Sequence, residues 1–149
     1  MSPETGNRQT WILRVVDWES NESLPKTHDV LSFSHGLWTP STPGSEPEVQ
    51  DLSLVLRAGP AMPEFVRHCM ERRELGKVVL EMVEERGAET GLTMRYELFN
   101  ARVASVRPGG SAGTSERPLY ELAFCFRELK MVADELAWSS ETTIQGLAD

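Results

Sequence analysis

A chain of 149 residues with 26% charged and 40% hydrophobic side chains has the size and makeup of one ordinary folded domain, large enough to bury a core without metal or disulfide staples. Its 23 acidic against 15 basic residues give a net charge of -8, which argues against nucleic acid, a partner that needs a concentrated basic surface. No apolar run approaches the roughly 20 residues of a membrane-spanning helix, and the two cysteines, Cys69 and Cys125, have no neighbour at metal-ligand or redox spacing, so both read as small core hydrophobes.

Residues 1–10 lack the basic start and apolar stretch of a secretory signal and are expected to be a flexible leader, with synthesis and folding in the cytoplasm. Residues 11–18, Trp-Ile-Leu-Arg-Val-Val-Asp-Trp, are β-branched and aromatic enough for a strand. After a polar loop through Thr27, residues 28–37 alternate, placing Leu31, Phe33 and His35 on one face and Val30, Ser32 and Ser34 on the other. Residues 38–48 hold three prolines and a glycine. They predict an exposed loop, neither helix nor ladder, long enough to be a contact element. The next strand, residues 49–57, sets Leu52, Leu54 and Leu56 on a common face.

Pro63 suits the first turn of a helix and Glu64 its positive end. Met62, Phe65, Val66, Cys69 and Met70 then recur at helical spacing, a stripe expected to dock on the core, with Gly76 as the stop. Residues 77–85 predict a strand. So do residues 92–107, in which Leu92, Met94, Tyr96 and Leu98 share one parity and Phe99, Ala101 and Val103 the other, as a β-bulge would cause. Residues 108–118 form a flexible connection. Its Gly109-Gly110-Ser111-Ala112-Gly113 run has neither a following lysine nor a helix, so it is no phosphate cradle. Residues 119–131 are apolar on both faces around Leu122 to Phe126 and predict one last central strand. Residues 133–149 read as an acidic tail, mobile unless a partner orders it.

An enzyme would need a constellation, and His28, His35 and His68 with Asp17, Asp29 and Asp51 do not fall at ligand spacing. No catalytic residue, cofactor or metal is expected. The dense basic spot, Arg72 and Arg73 with Arg67 one turn earlier, is diluted by Glu71 and Glu74 and reads as a solvated or interfacial face.

Several words now stand out in this order of strands and helix. His28-Asp-Val-Leu-Ser-Phe-Ser-His-Gly, then Val49-Gln-Asp-Leu-Ser-Leu-Val-Leu, then residues 65–70 followed by Gly76-Lys-Val-Val-Leu-Glu-Met, and finally residues 96–110 and 116–131 resemble the successive elements of the Hcp family (haemolysin-coregulated protein), the tube protein of bacterial type VI secretion systems. The resemblance covers residues 11–132. It implies a mainly β fold, a compact β-barrel of two packed antiparallel sheets with one flanking α-helix, like phage tail-tube proteins. It implies hexameric rings that stack into a tube, carry secreted effectors in the lumen, contact spike, sheath and baseplate proteins, and leave the cytoplasm through the apparatus without a signal peptide. Neither nucleic acid nor membrane insertion belongs to that picture. The alternative on the same fold is an adaptor or binding module that forms no tube.

A ring of identical subunits joins two different patches of each copy. The candidates are the proline-stiffened loop, with Trp38, Thr39, Pro40, Pro43, Glu46, Pro47 and Glu48, and the arginine pair Arg72 and Arg73.

Overall fold

The computed structural model describes residues 8–146. Ten strands and one helix follow in the order β1 (Arg8–Val15), β2 (His28–Ser34), β3 (Leu37–Trp38), β4 (Glu48–Val49), β5 (Leu52–Arg57), α1 (Met62–Met70), β6 (Glu74–Arg86), β7 (Glu89–Pro108), β8 (Leu119–Cys125), β9 (Glu128–Glu135) and β10 (Trp138–Gln145). A 3-10 turn, Val16–Trp18, ends β1. All pairings are antiparallel, and the large sheet runs β10-β9-β7-β6-β1-β2-β5-β8. β8 also pairs with β7, which closes six of the strands into a barrel and leaves β9 and β10 as an extension beyond it.

Alternation fills the barrel. Leu52, Leu54 and Leu56 of β5, Leu13 and Val15 of β1, Val78 and Leu80 of β6 and Leu122 and Phe124 of β8 are all essentially inaccessible. They form one apolar cluster with Phe65 of the helix, as expected of strands with one face turned to a single core. β8 lies between β5 and β7, so both of its edges are paired, and Leu122, Ala123 and Phe124 are all buried.

β7 serves two structures at once because it changes phase. Up to Leu98 the buried apolar side chains, Tyr96 and Leu98, are even-numbered, and from Ala101 they are odd, Ala101 and Val103. The register with β6 slips between Val78↔Leu98 and Gly76↔Ala101, where Asn100 takes φ 53 and asparagine is among the residues that tolerate it. The first half of β7 pairs with β9 and the second with β8.

Four expectations need correction. The strand foreseen over 119–131 is two: it breaks at Phe126 and Arg127, where Arg127 N–H donates to the Phe99 carbonyl and Gly146 N–H to the Arg127 carbonyl. A side chain at Gly146 would strike the Phe126 carbonyl, so this corner is tightly packed. The acidic tail is a strand, β10, paired with β9 from Trp138↔Glu135 to Ile144↔Leu129 and beyond. Its Thr, Ile and Trp residues favour the extended form once β9 offers a ladder. Leu31 points outward at 41% exposure while Val30 is buried, because a bulge between Val30 and Ser32 inverts the face. The helix ends at Met70, well before Gly76.

Phe65 of α1, wholly buried, meets Trp18, His28, Tyr120 and Phe124 at ring-centroid distances of 4.8–6.5 Å. The helix therefore packs over one mouth of the barrel. His68 is buried beside Trp18, with Nδ1 2.9 Å from the Glu64 carbonyl, so that nitrogen carries its proton there. Met70 is 77% exposed and leaves the docking stripe.

Candidate assembly surfaces

Register fixes which candidate residues share an end of the barrel. β2 starts at His28 beside Leu13, and Leu13 lies opposite Leu80. β2 finishes at Ser34, toward the level where Arg8 pairs with Glu85. Residues 37–49 leave from that end. Arg72 and Arg73 sit between α1 and the start of β6, where β1 ends with Val15 opposite Val78. The two candidate patches thus lie at opposite ends of one subunit.

The loop is better ordered than its prolines suggested. Leu37 pairs with Val49 and Trp38 with Glu48, and Gln50 N–H donates to the Gly36 carbonyl over 2.9 Å. This short ladder makes a stem, and the prolines are confined to the tip, where no ladder bond is needed. Trp38 is 55% exposed; Thr39, Pro43, Glu46, Pro47 and Glu48 are exposed and Pro40 is half-buried. From residue 37 to 51 the charges are Glu46, Glu48 and Asp51, with no Lys or Arg. This arm is acidic and carries a large aromatic surface.

The opposite end carries arginines. Arg72 has φ 55, the left-handed conformation that costs a non-glycine residue about 1 kcal/mol. It occupies the residue after the helix C-cap: Arg72 N–H donates to the Cys69 carbonyl and Arg73 N–H to the His68 carbonyl, the paired bonds of a Schellman ending. Glycine is the usual occupant there. Arg72 is exposed at this strained position. Arg73 pairs with Glu71 at 3.3 Å and Arg67 with Glu64 at 3.3 Å, all on the surface, so these pairs hold little energy. Near this end Arg57 and Arg117 also line a cleft of about 190 Å³ with Pro25, Pro60 and Tyr120.

A third surface escaped the sequence reading. β10 pairs on one side only, and nearly every residue of it is exposed. At its turn Leu136 is 86% and Trp138 81% exposed, with Leu136 at φ 53. An open edge with apolar side chains at one end is a template for pairing. The signal lay in Trp-Ser-Ser-Glu-Thr-Thr-Ile-Gln, a proline-free run of β-formers inside a segment whose acidity suggested a tail.

Ionic contacts join the barrel strands β1, β6 and β7. Arg14 holds Glu19 at 2.9 Å and Glu81 at 2.6 Å. Glu97, whose side chain is 10% exposed, lies between Lys77 at 2.7 Å and Arg95 at 3.0 Å. The Lys77 hydrogen bond, helped by Arg95 and opposed by burial, lowers the Glu97 carboxyl below its usual 4.5. Among the described residues no three His, Cys, Asp or Glu side chains converge as a metal site, and no helix is long and apolar enough to cross a membrane.

A family model described as "Type VI secretion system effector, Hcp" matches residues 19–132 of the chain. The chain belongs to the Hcp family of type VI secretion. Solved Hcp structures agree in fold. Hcp1 from Salmonella typhimurium superposes with TM-score 0.71 at 16% identity, covering 92% of this chain and 94% of that one. A type VI secretion system effector from Yersinia pestis gives 0.66 at 16% identity, covering 91% and 98%. Hcp3 from Pseudomonas aeruginosa gives 0.63 at 12%, covering 94% and 98%. No curated protein matches the chain in sequence.

Proposed function

We propose that this Hcp chain is the structural subunit of a type VI secretion inner tube: copies close into hexameric rings, the rings stack head to tail, and effectors travel in the lumen. The observation that carries this reading is the polarity of the subunit, an acidic, aromatic arm at one end of the barrel and exposed arginines at the other. Unlike patches on opposite ends suit a heterologous stack, which grows without closing. In this reading Trp38, Glu46 and Glu48 meet Arg72 and Arg73 of the next ring, and Thr39, Pro40, Pro43 and Pro47 shape the arm. Lateral contacts within a ring use the open edge of β10. The tube then meets spike, sheath and baseplate proteins, and the chain is exported after cytoplasmic folding. No catalysis enters.

Light scattering across concentration and salt, followed by negative-stain imaging, tests the reading. Rings, and stacks that shorten as salt rises, are expected, because exposed charges are screened within about 10 Å at 0.1 M. Deleting residues 40–47 should abolish stacking while rings persist. A strict monomer under all conditions would overturn the proposal in favour of an adaptor.

A further inference from the structure

The root of the arm holds an unusual side chain. Both ring nitrogens of His35 are shut off from solvent and neither has a hydrogen-bond partner at proper geometry. Buried polar atoms are paired in the great majority of cases, so each exception calls for an explanation. His35 follows the last residue of β2 and precedes Gly36, whose carbonyl takes the Gln50 bond that closes the stem. Its ring stands edge-on to Phe126 with centroids 5.7 Å apart. Phe126 is the buried residue of the corner between β8 and β9 against which Gly146 packs. The histidine therefore joins the arm to the point where barrel and extension part. The Gln50 side-chain amide lies close over Gly36 at this joint.

We propose that His35 is a protonation latch for the arm: neutral, it seats the stem on the Phe126 corner, and charged, it releases the stem. This rests on the tube reading for its purpose, though not for its mechanism. The charged group acting on the ring is Asp51, on the segment leading into β5. Phe126, Gln50 and Gly36 are uncharged, and Arg127 and Glu128 flank Phe126 in the chain, Arg127 exposed and Glu128 half-buried. Burial lowers the His35 imidazole below its usual 6.5, against a smaller upward pull from the Gln50 backbone and Asp51. Burial likewise raises the Asp51 carboxyl. A group whose docked value is lowered binds its proton in the released state first. Docking is then fully present above about 6.5 and is lost as pH falls below it.

A glutamyl endopeptidase reads the latch in the full chain, since Glu46 and Glu48 lie in the arm while Glu116 lies in the exposed 108–118 loop and corrects for the enzyme's own pH dependence. Between pH 7.5 and 5.5 the rate at Glu48 relative to Glu116 should rise, by at most about tenfold in all, because pH 5.5 lies one unit below the free imidazole value of about 6.5. His35→Phe and His35→Gln cannot titrate, so the ratio should stay flat in both. A flat ratio in the natural chain, or an unchanged rise in both variants, overturns the latch. Light scattering on the same samples separates the readings: a rising ratio without rings keeps the latch and sinks the tube, and rings with a flat ratio do the reverse.

Discussion

Phe65→Ala measures how much of the fold depends on the helix over the barrel mouth. Phe65 is fully buried and its ring touches residues from the 3-10 turn, β2 and β8, so collapse onto the vacancy would require three elements to shift together. Truncating a phenylalanine in such a site costs about 3–5 kcal/mol, a large part of a total on the order of 10 kcal/mol for a domain this size. At about 2–4 °C per kcal/mol, Tm should fall by roughly 6–20 °C. Met70, on the same predicted stripe, is 77% exposed, and Met70→Ala should change stability by no more than about 0.5 kcal/mol. Urea titration at one fixed protein concentration gives both values from the midpoints, with equal slopes showing that the two states compared are unchanged. Equal costs for the two variants, or a loss under about 1 kcal/mol for Phe65→Ala, would refute the packing described for α1.

Three further outcomes are expected. Arg72→Gly should stabilise the chain by about 0.5–1 kcal/mol in thermal melts, by relieving the left-handed arginine, while shortening stacks in negative stain; lower stability would show that the helix ending is not strained. Glu97→Gln should cost about 1–2 kcal/mol at pH 7 in urea titrations, since it removes a carboxylate held by two cations. The sign follows from the lowered carboxyl: its contribution is present above about 4.5 and disappears as pH falls through the lower folded value, so the variant should lose that part of the acid sensitivity. Gly76→Ala should destabilise by about 1–3 kcal/mol, because Gly76 has φ 83 and its added carbon would press on the Asp17 carboxylate; Asp17→Ala in the same chain should restore part of the loss, and calorimetry reads both.

Where one residue type dictated its neighbours' faces, the sequence was legible. The alternation of Leu52, Leu54 and Leu56, the proline opening of α1, and the parity switch in β7 at Phe99 are each local patterns with one physical reading. Tertiary decisions were not legible. Nothing between Cys125 and Glu128 breaks a strand by propensity; the turn there exists because Gly146 and Phe99 grip it from other strands. The helix stop at Arg72 defied the expectation of glycine, and β10 became a strand only because β9 offered a partner. Of the surfaces, the arm and the arginine pair were visible through proline and charge, whereas Leu136 and Trp138 needed the hairpin to be seen as a pair.

Barrel closure also bears on how the chain must fold. The β6–β7 hairpin joins neighbours in sequence, but the pairing that shuts the cylinder brings Leu52 against Phe124 across nearly half the chain. Contacts so distant form late and slowly. Until they form, β5 and β8 present raw edges that resemble the open edge of β10, so an immature chain exposes unpaired ladders that can join wrongly. Productive assembly is therefore favoured when newly made chains stay dilute until the cylinder is shut, and crowding them earlier diverts them into aggregates.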